Sequence, residues 1–332
     1  MRRREFIGLV GGLAAWPVAS SAQRRLPRIA VVHPSHPVAV LSAIKGNQFF
    51  RGFFAELERL GYSEGKNLTV ERYSGDGRTD RYAEFAKEIV SRSPDVIFVI
   101  SSRMVEHFKS ATQMTPIVGV ISDPIARDLS RSIGRPGGNI TGVVTDAGLE
   151  IWEKRLALLK EVAPKADRVG FLAPKGTTEG PEGRAVREAS ERMNVALTMG
   201  PLESPINQLE YVRVFGVFAQ ESVRALVVSD AAENATYSGT VVELAAKARL
   251  PAIGWLRDFT EDGGLMAYAI DLVDLYGRAA GQVAQILNGT KVGEIPFYRA
   301  TTFKLIINLK TAKSLGLNVP PTLLARADEL IE

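Results

Sequence analysis

Three short stretches of the sequence carry the residues most able to hold a small charged molecule. Ser101, Ser102 and Arg103 follow the apolar run VIFVI. Two hydroxyls, a guanidinium and the free N–H groups of a helix that starts there would together accept a carboxylate; an ordinary helix cap and a solvated first-turn arginine are the plain alternatives. Asp123 follows PIVGVI and Asp230 closes ALVVSD, so two carboxylates from opposite halves of the chain are candidates to meet an ammonium; turn capping is the plain role for each. Trp255 and Tyr268 are candidates to stack on a ring, or to pack between domains. Ser35 and His36 follow the first strand-like run and Lys175 follows RVGFLAP. All but Tyr268 share one property: each lies near the end of a strand-like run.

Other chemistry lacks its signatures. His33 and His36 alone fall short of the three or four ligands a zinc site uses. No serine stands in a G-x-S-x-G elbow and the chain has no cysteine, so a nucleophilic triad has no support. Neither G-x-G-x-x-G after the first strand nor G-x-x-x-x-G-K-[ST] occurs, so no nucleotide cofactor is expected. Net charge is +4, but the first 22 residues hold three of the 41 basic and one of the 37 acidic residues. The remainder is nearly balanced, with no aromatic and basic stripe, which argues against a nucleic-acid partner.

The elements that must position these residues alternate regularly. RIAVV (28–32), NLTVERY, VIFVI (96–100) and PIVGVI (116–121) read as strands. Between them lie amphipathic stretches, the first placing Phe49, Phe50, Phe53, Phe54, Leu57 and Leu60 at helical spacing before Gly61. Strands separated by single helices imply parallel pairing. IGRPGGNITGVVTD (133–146) breaks the rhythm, and the first passage between domains is expected there. A second series follows, with strands RVGFLA, VALTMG, ALVVSD and PAIGW separated by helices, then GGLMAYAID as a return strand and a long amphipathic helix, Leu272 to Leu287. The expected fold class is α/β, with two doubly wound parallel-sheet domains. Interwoven halves and two independent domains in series are both open, with the Gly-rich passages at 137 and 263 favouring the first.

The start, MRRREFIGLVGGLAAWPVASSA, has three arginines, a short apolar run and small residues, the layout of an export signal cleaved after Ala22. Arg3-Arg4-Glu5-Phe6-Ile7 matches a twin-arginine signal; an Arg-rich general signal is the alternative. The apolar run is shorter than the ~20 residues a spanning helix needs. With no cysteine for a lipid anchor, an exported and untethered protein is expected in the periplasm.

RPGGNITGV, GGLMAYA, FKLIINLKTAKSLGL and the ending PPTLLARADELIE, with the MRRREFI start, resemble the ABC-transporter substrate-binding proteins that include tryptophan- and tyrosine-binding members. The resemblance spans essentially the whole chain. It implies a type I periplasmic-binding-protein fold with three hinge crossings, one lobe of residues 27–145 and about 269–297 and another of 146–268 and about 298–332. It also implies an inner-membrane permease as partner, a monomer, no enzymatic activity, and a solute such as an aromatic amino acid or related organic acid. Arg103 departs from the Gly, Ser and Thr usual in the family's carboxylate loop. His33 and His36 depart likewise in the first loop. A ligand-sensing receptor component, and an enzyme using the same cleft, are the alternative functions.

Overall fold

The computed structural model describes residues 25–146 and 148–332; the expected export signal lies outside them. Thirteen strands form two sheets among the described residues. The first five are β1 (Arg28–His33), β2 (Thr69–Ser74), β3 (Val96–Ile100), β4 (Ile117–Ile121) and β5 (Ile140–Val144). The next five are β6 (Arg168–Pro174), β7 (Ala196–Leu202), β8 (Ala225–Val228), β9 (Ala252–Gly254) and β10 (Met266–Ile270), followed by β11 (Tyr298–Arg299), β12 (Phe303–Asn308) and β13 (Glu329–Ile331). Sheet order is β11-β5-β4-β3-β1-β2 in the first lobe and β13-β12-β10-β9-β8-β6-β7 in the second. Every pairing is parallel except β10 with β12.

Helices cover both faces of each sheet, because the central strands are buried throughout and must be shielded on two sides. The helix Gln48–Arg59 starts at Asn47, whose side chain accepts from the N–H groups of Phe49 and Phe50. Its phenylalanines fill the first lobe's core, with Phe53 stacked on Phe98 at 4.2 Å. The aromatic stripe is therefore core. Gly61 ends this segment at φ +91°, a conformation that costs glycine little.

The chain passes between the sheets three times: between β5 and the helix Ile151–Val162, at Asp271 between β10 and the helix Leu272–Leu287, and between β11 and β12. The helix Leu272–Leu287 packs on the first lobe, where Leu275, Tyr276, Ala279 and Val283 join the same apolar cluster as Phe53. The passages expected at about 269 and about 297 fall at Asp271 and after Arg299, because Ala269 and Ile270 remain in the second sheet and β11 pairs with β5. The halves are interwoven, the arrangement the Gly-rich passages favour, and the first crossing begins at the end of the 133–146 stretch, although the glycines at 137 and 263 themselves do not cross. Gly137 stands before β5, where its N–H donates to Gly293, and Gly264 turns tightly against Phe259 before β10.

Candidate functional site

The carboxyl ends of β3 and β4 face those of β6, β8 and β9, the location where open parallel sheets bind ligands. A cavity of about 50 Å3 lies between the two lobes there. The first lobe lines it with Ile100 to Arg103, Ser122, Arg127 and Thr145; the second with Thr177, Glu182, Asp230 to Glu233 and Trp255.

The first lobe's wall consists mainly of donors. Ser101 has φ +108°, a backbone conformation serine rarely adopts, held where the chain turns from β3 into the helix Ser102–Ala111. Ser102 Oγ accepts from the Ser122 N–H at 2.8 Å, so the ends of neighbouring strands are tied together. The Arg103 guanidinium lies against the backbone of Gly176 in the other lobe: a Cβ at Gly176 would fall 2.1 Å from its Cζ. Glycine at 176 is thus what lets the arginine cross the cleft.

The second lobe contributes acids. Glu182, in the first turn of the helix Pro181–Arg192, reaches across so that its Oε1 accepts from Ser122 Oγ at 2.6 Å and Arg127 Nε at 2.9 Å. Both charged side chains are nearly dry, 5% exposed for Arg127 and 2% for Glu182. Burial works against the Arg127 charge, but Glu182 and Glu106 outweigh it and hold its pKa up. Glu182 Oε2 and Asp230 Oδ2 are buried without a hydrogen-bond partner among the described residues. Burial raises Asp230 to about 6, with Arg155 opposing. Asp146, in the first crossing, rises to about 7 through burial and the nearby Asp230 charge, while accepting from the N–H groups of Asp123 and Gly148.

Deeper in the second lobe, Arg155 is 0% exposed and none of its three nitrogens has a partner among the described residues. Its Cζ lies 4.9 Å from the centre of the Trp152 ring. Asp230, Asp146 and Tyr268 all favour its charge, against the desolvation that lowers its pKa. The segment after Asp230 is held by Asn234, whose amide donates to the carbonyls of Leu172 and Ser229 and accepts from Tyr211.

Further bonds join the lobes around the cavity. Tyr82 donates to Glu233 at 3.0 Å, both buried. The Ile206 N–H donates to the Gly77 carbonyl at 2.9 Å. Ser35 Oγ meets Thr236 Oγ1 at 2.7 Å, and His36 Nδ1 lies 3.3 Å from the same hydroxyl. Burial lowers His36 to about 4; His33, stacked on it at 4.2 Å, accepts from the N–H groups of Ser35 and His36. The lobes are closed on one another. Among the described residues no group of three or more His, Cys, Asp or Glu is placed to hold a metal ion.

Of the ten residues singled out in the sequence, Ser101, Ser102, Arg103, Asp230 and Trp255 meet at the cavity, and Ser35 and His36 sit at the adjoining seam. Three lie elsewhere. Asp123 Oδ1 caps the turn by accepting from Ile125 and Ala126, and its other oxygen faces Arg299 at 3.8 Å. Lys175 points outward to Glu203 at 3.3 Å. Tyr268 stacks on Phe303 within the second lobe. Sequence reasoning missed Arg127, Glu182, Glu233, Asp146 and Arg155. Arg155 had a signal: it stands three residues after Trp152 and four before Leu159, on the face those apolar residues bury. Glu182 and Arg127 had none, since a charged residue in a helix first turn or a loop reads as solvated.

Comparison with known proteins agrees with this architecture. The family model described as ABC transporter substrate binding protein matches residues 37–331. A protein of Clostridioides difficile (strain R20291) named tyrosine-binding protein is 26% identical over 274 residues, 80% of this chain and 76% of the relative. Two solved structures share the fold, each covering 92% of this chain and all of the other. A conserved domain protein from Vibrio cholerae superposes with a TM-score of 0.78 at 22% identity. An ABC domain from Streptococcus pneumonia in complex with L-Trp gives 0.76 at 23%. The fold is that of type I periplasmic binding proteins.

Proposed function

We propose that this chain, which belongs to the ABC transporter substrate-binding protein family, captures a small carboxylate-bearing solute by hinge closure in the periplasm and presents the closed form to an inner-membrane permease. The observation carrying this reading is the opposed chemistry of one closed cleft. Ser101, Ser102 and Arg103 offer donors from one lobe, and the unpartnered oxygens of Glu182 and Asp230 offer acceptors from the other. A molecule with a carboxylate at one end and an ammonium close by satisfies both walls, so the solute class is an amino acid or a near relative. The names of the tyrosine-binding relative and of the L-Trp complex support an amino acid.

Magnitudes explain why two lobes are needed. A micromolar dissociation constant corresponds to about −8 kcal/mol, whereas an exposed helix N-terminus contributes only ~0.3–1 kcal/mol. Closure adds the second wall and removes water, which strengthens each charged hydrogen bond. Because the solute contacts both lobes only when they are closed, it binds that state better and shifts the population toward it.

A thermal-shift screen of the mature protein against amino acids and short organic acids tests this. A solute at 100 times its dissociation constant adds about 2.7 kcal/mol of stability; no shift with any of them would overturn the proposal. Arg103→Ala is expected to weaken the binding found by about tenfold or more, as loss of a charge-assisted bond does, with circular dichroism unchanged. Unaltered affinity by calorimetry would remove Arg103 from the carboxylate site.

A further inference from the structure

The helix Ile151–Val162 follows the first crossing and packs on β8 and β9, the strands whose ends carry Asp230 and Trp255. Trp152, Leu156 and Leu159 join it to the second lobe's apolar core. Arg155 is buried with them, 0% exposed, yet none of its three nitrogens has an acceptor among the described residues. One face of the guanidinium is covered by the Trp152 ring at 4.9 Å. A guanidinium keeps its proton in proteins, so the helix carries a fixed positive charge out of reach of water. Such a charge persists only where opposite charge stands near.

Three groups favour it, Asp230, Asp146 and Tyr268. Tyr268 lies within β10, stacked on Phe303. Asp146 gives both oxygens to the backbone of the first crossing, accepting from the N–H groups of Asp123 and Gly148. Asp230 differs: it lines the cavity, and its Oδ2 is buried without a partner among the described residues. Of the three, Asp230 alone offers the cleft an oxygen.

The other charges around Asp230 do not hold it ionised. Glu182, on the helix Pro181–Arg192, opposes its charge, and Asp146 and Asp230 disfavour each other. Arg127, after β4, favours it but is already bonded to Glu182 and Glu106. Glu233 is bonded to Tyr82, with Arg103 favouring its charge. Arg155 is the strongest of the influences that favour the Asp230 carboxylate. It does not line the cavity, so it acts through Asp230, by its field in a poorly screened interior.

We propose that Arg155 is a positioning residue for the solute: from within the second lobe it supplies the fixed positive charge that keeps the Asp230 carboxylate ionised to receive the solute's ammonium. The step rests on the reading of Asp230 as that ammonium's partner.

Carbon-13 NMR of the mature protein, labelled at its aspartate carboxyls and free of solute, tests the coupling, with the Asp230 signal identified by its loss in Asp230→Asn. Arg155→Met keeps the bulk and removes the charge, and should raise the Asp230 midpoint by about one pH unit or more, a tenfold change in its proton affinity. An unmoved midpoint in the folded variant would overturn the proposal. Should Arg155→Met fail to fold, the wild-type protein still decides: the Arg155 Nε–H resonance should step at the Asp230 midpoint and lose that step in Asp230→Asn, and a resonance without it would overturn the proposal. Calorimetry with L-alanine and L-tyrosine as probes then joins the coupling to binding. The pH below which affinity falls should rise in Arg155→Met by the same interval as the Asp230 midpoint; a midpoint that moves while this limb stays would remove Arg155 from solute binding. Binding of neither probe, nor of any other amino acid, by wild type would overturn the amino acid reading, while the carboxyl titration would still decide whether Arg155 governs Asp230.

Discussion

The two lobes share one architecture yet face each other with opposite chemistry. The first presents hydroxyls, a helix N-terminus and two arginines; the second presents Glu182, Asp230 and Glu233. Strand order explains how similar folds can differ so. Each sheet delivers its loops to the same edge, and loop side chains are free to vary because the packed strands beneath them do not depend on them. Neither wall alone forms a site for a zwitterion. Closing them assembles one and also buries the Arg127–Glu182 pair that spans them.

The largest effect on this complementarity should come from Glu182→Ala. It leaves Arg127, 5% exposed, without its cross-lobe carboxylate, a loss of about 2–5 kcal/mol for a buried charged pair. Solute affinity should fall by about 30-fold or more, with the folded far-ultraviolet spectrum kept; calorimetry showing near wild-type affinity would mean that the clamp does not stabilise the closed state.

Gly77→Ala should act on closure beyond its general cost to folding. Its φ of +71° is unfavourable for alanine in any state, but the added Cβ meets the Ile206 carbonyl oxygen at 2.3 Å only where the lobes touch. Crowding of this kind costs about 1–3 kcal/mol. Small-angle scattering should find the solute-saturated variant more extended than wild type; identical curves would show that the Gly77–Ile206 contact yields without opening the cleft.

The acid wall should give a pH dependence. Asp230 and Asp146, raised to about 6 and about 7 by burial, favour the protonated folded form. Their contribution to folding is present at pH 4 and is lost as pH rises through 6 to 7. An ammonium requires the ionised form, so affinity should decline below pH 6 by up to about tenfold per pH unit for one proton. Asp230→Asn should flatten this limb. A titration with the opposite slope would exclude Asp230 as the ammonium's partner.

The smallest effect belongs to the seam. Ser35→Ala removes one hydroxyl contact to Thr236, worth about 0.5–1.5 kcal/mol, while Thr236 keeps its bond to the Ala232 carbonyl. A change of several-fold in affinity is expected, measured in parallel with Glu182→Ala. An effect as large as that of Glu182→Ala would reverse the ranking of the two contacts.

Much of the fold is legible in local pattern. VIFVI is β3 to the residue, and the helix Leu272–Leu287 begins and ends where its apolar spacing does. The Gly-rich passages pointed to the interwoven arrangement without marking the crossings. Gly137 and Gly264 serve turns and close packing, while the crossings fall at residues with no special composition, such as Asp271. At the site, residues on strand ends were found by position alone, since β3, β8 and β9 each aim one at the cleft. Asp123 obeys the same positional rule and still turns away, because a nearby N–H pair holds its side chain; Tyr268 lies in the middle of β10, where it stacks on Phe303.

By itself, then, the sequence settled the order of strands and helices, the parallel pairing and the strand ends where a ligand could sit. Each of these depends on neighbours within one element, through apolar period and β-branching. Tertiary structure alone decided that Glu182 meets Arg127 and that Glu233 meets Tyr82 across the cleft. Those outcomes depend on how far apart two separately folded sheets come to rest, and charged side chains carry no local mark of whether water or another lobe will face them.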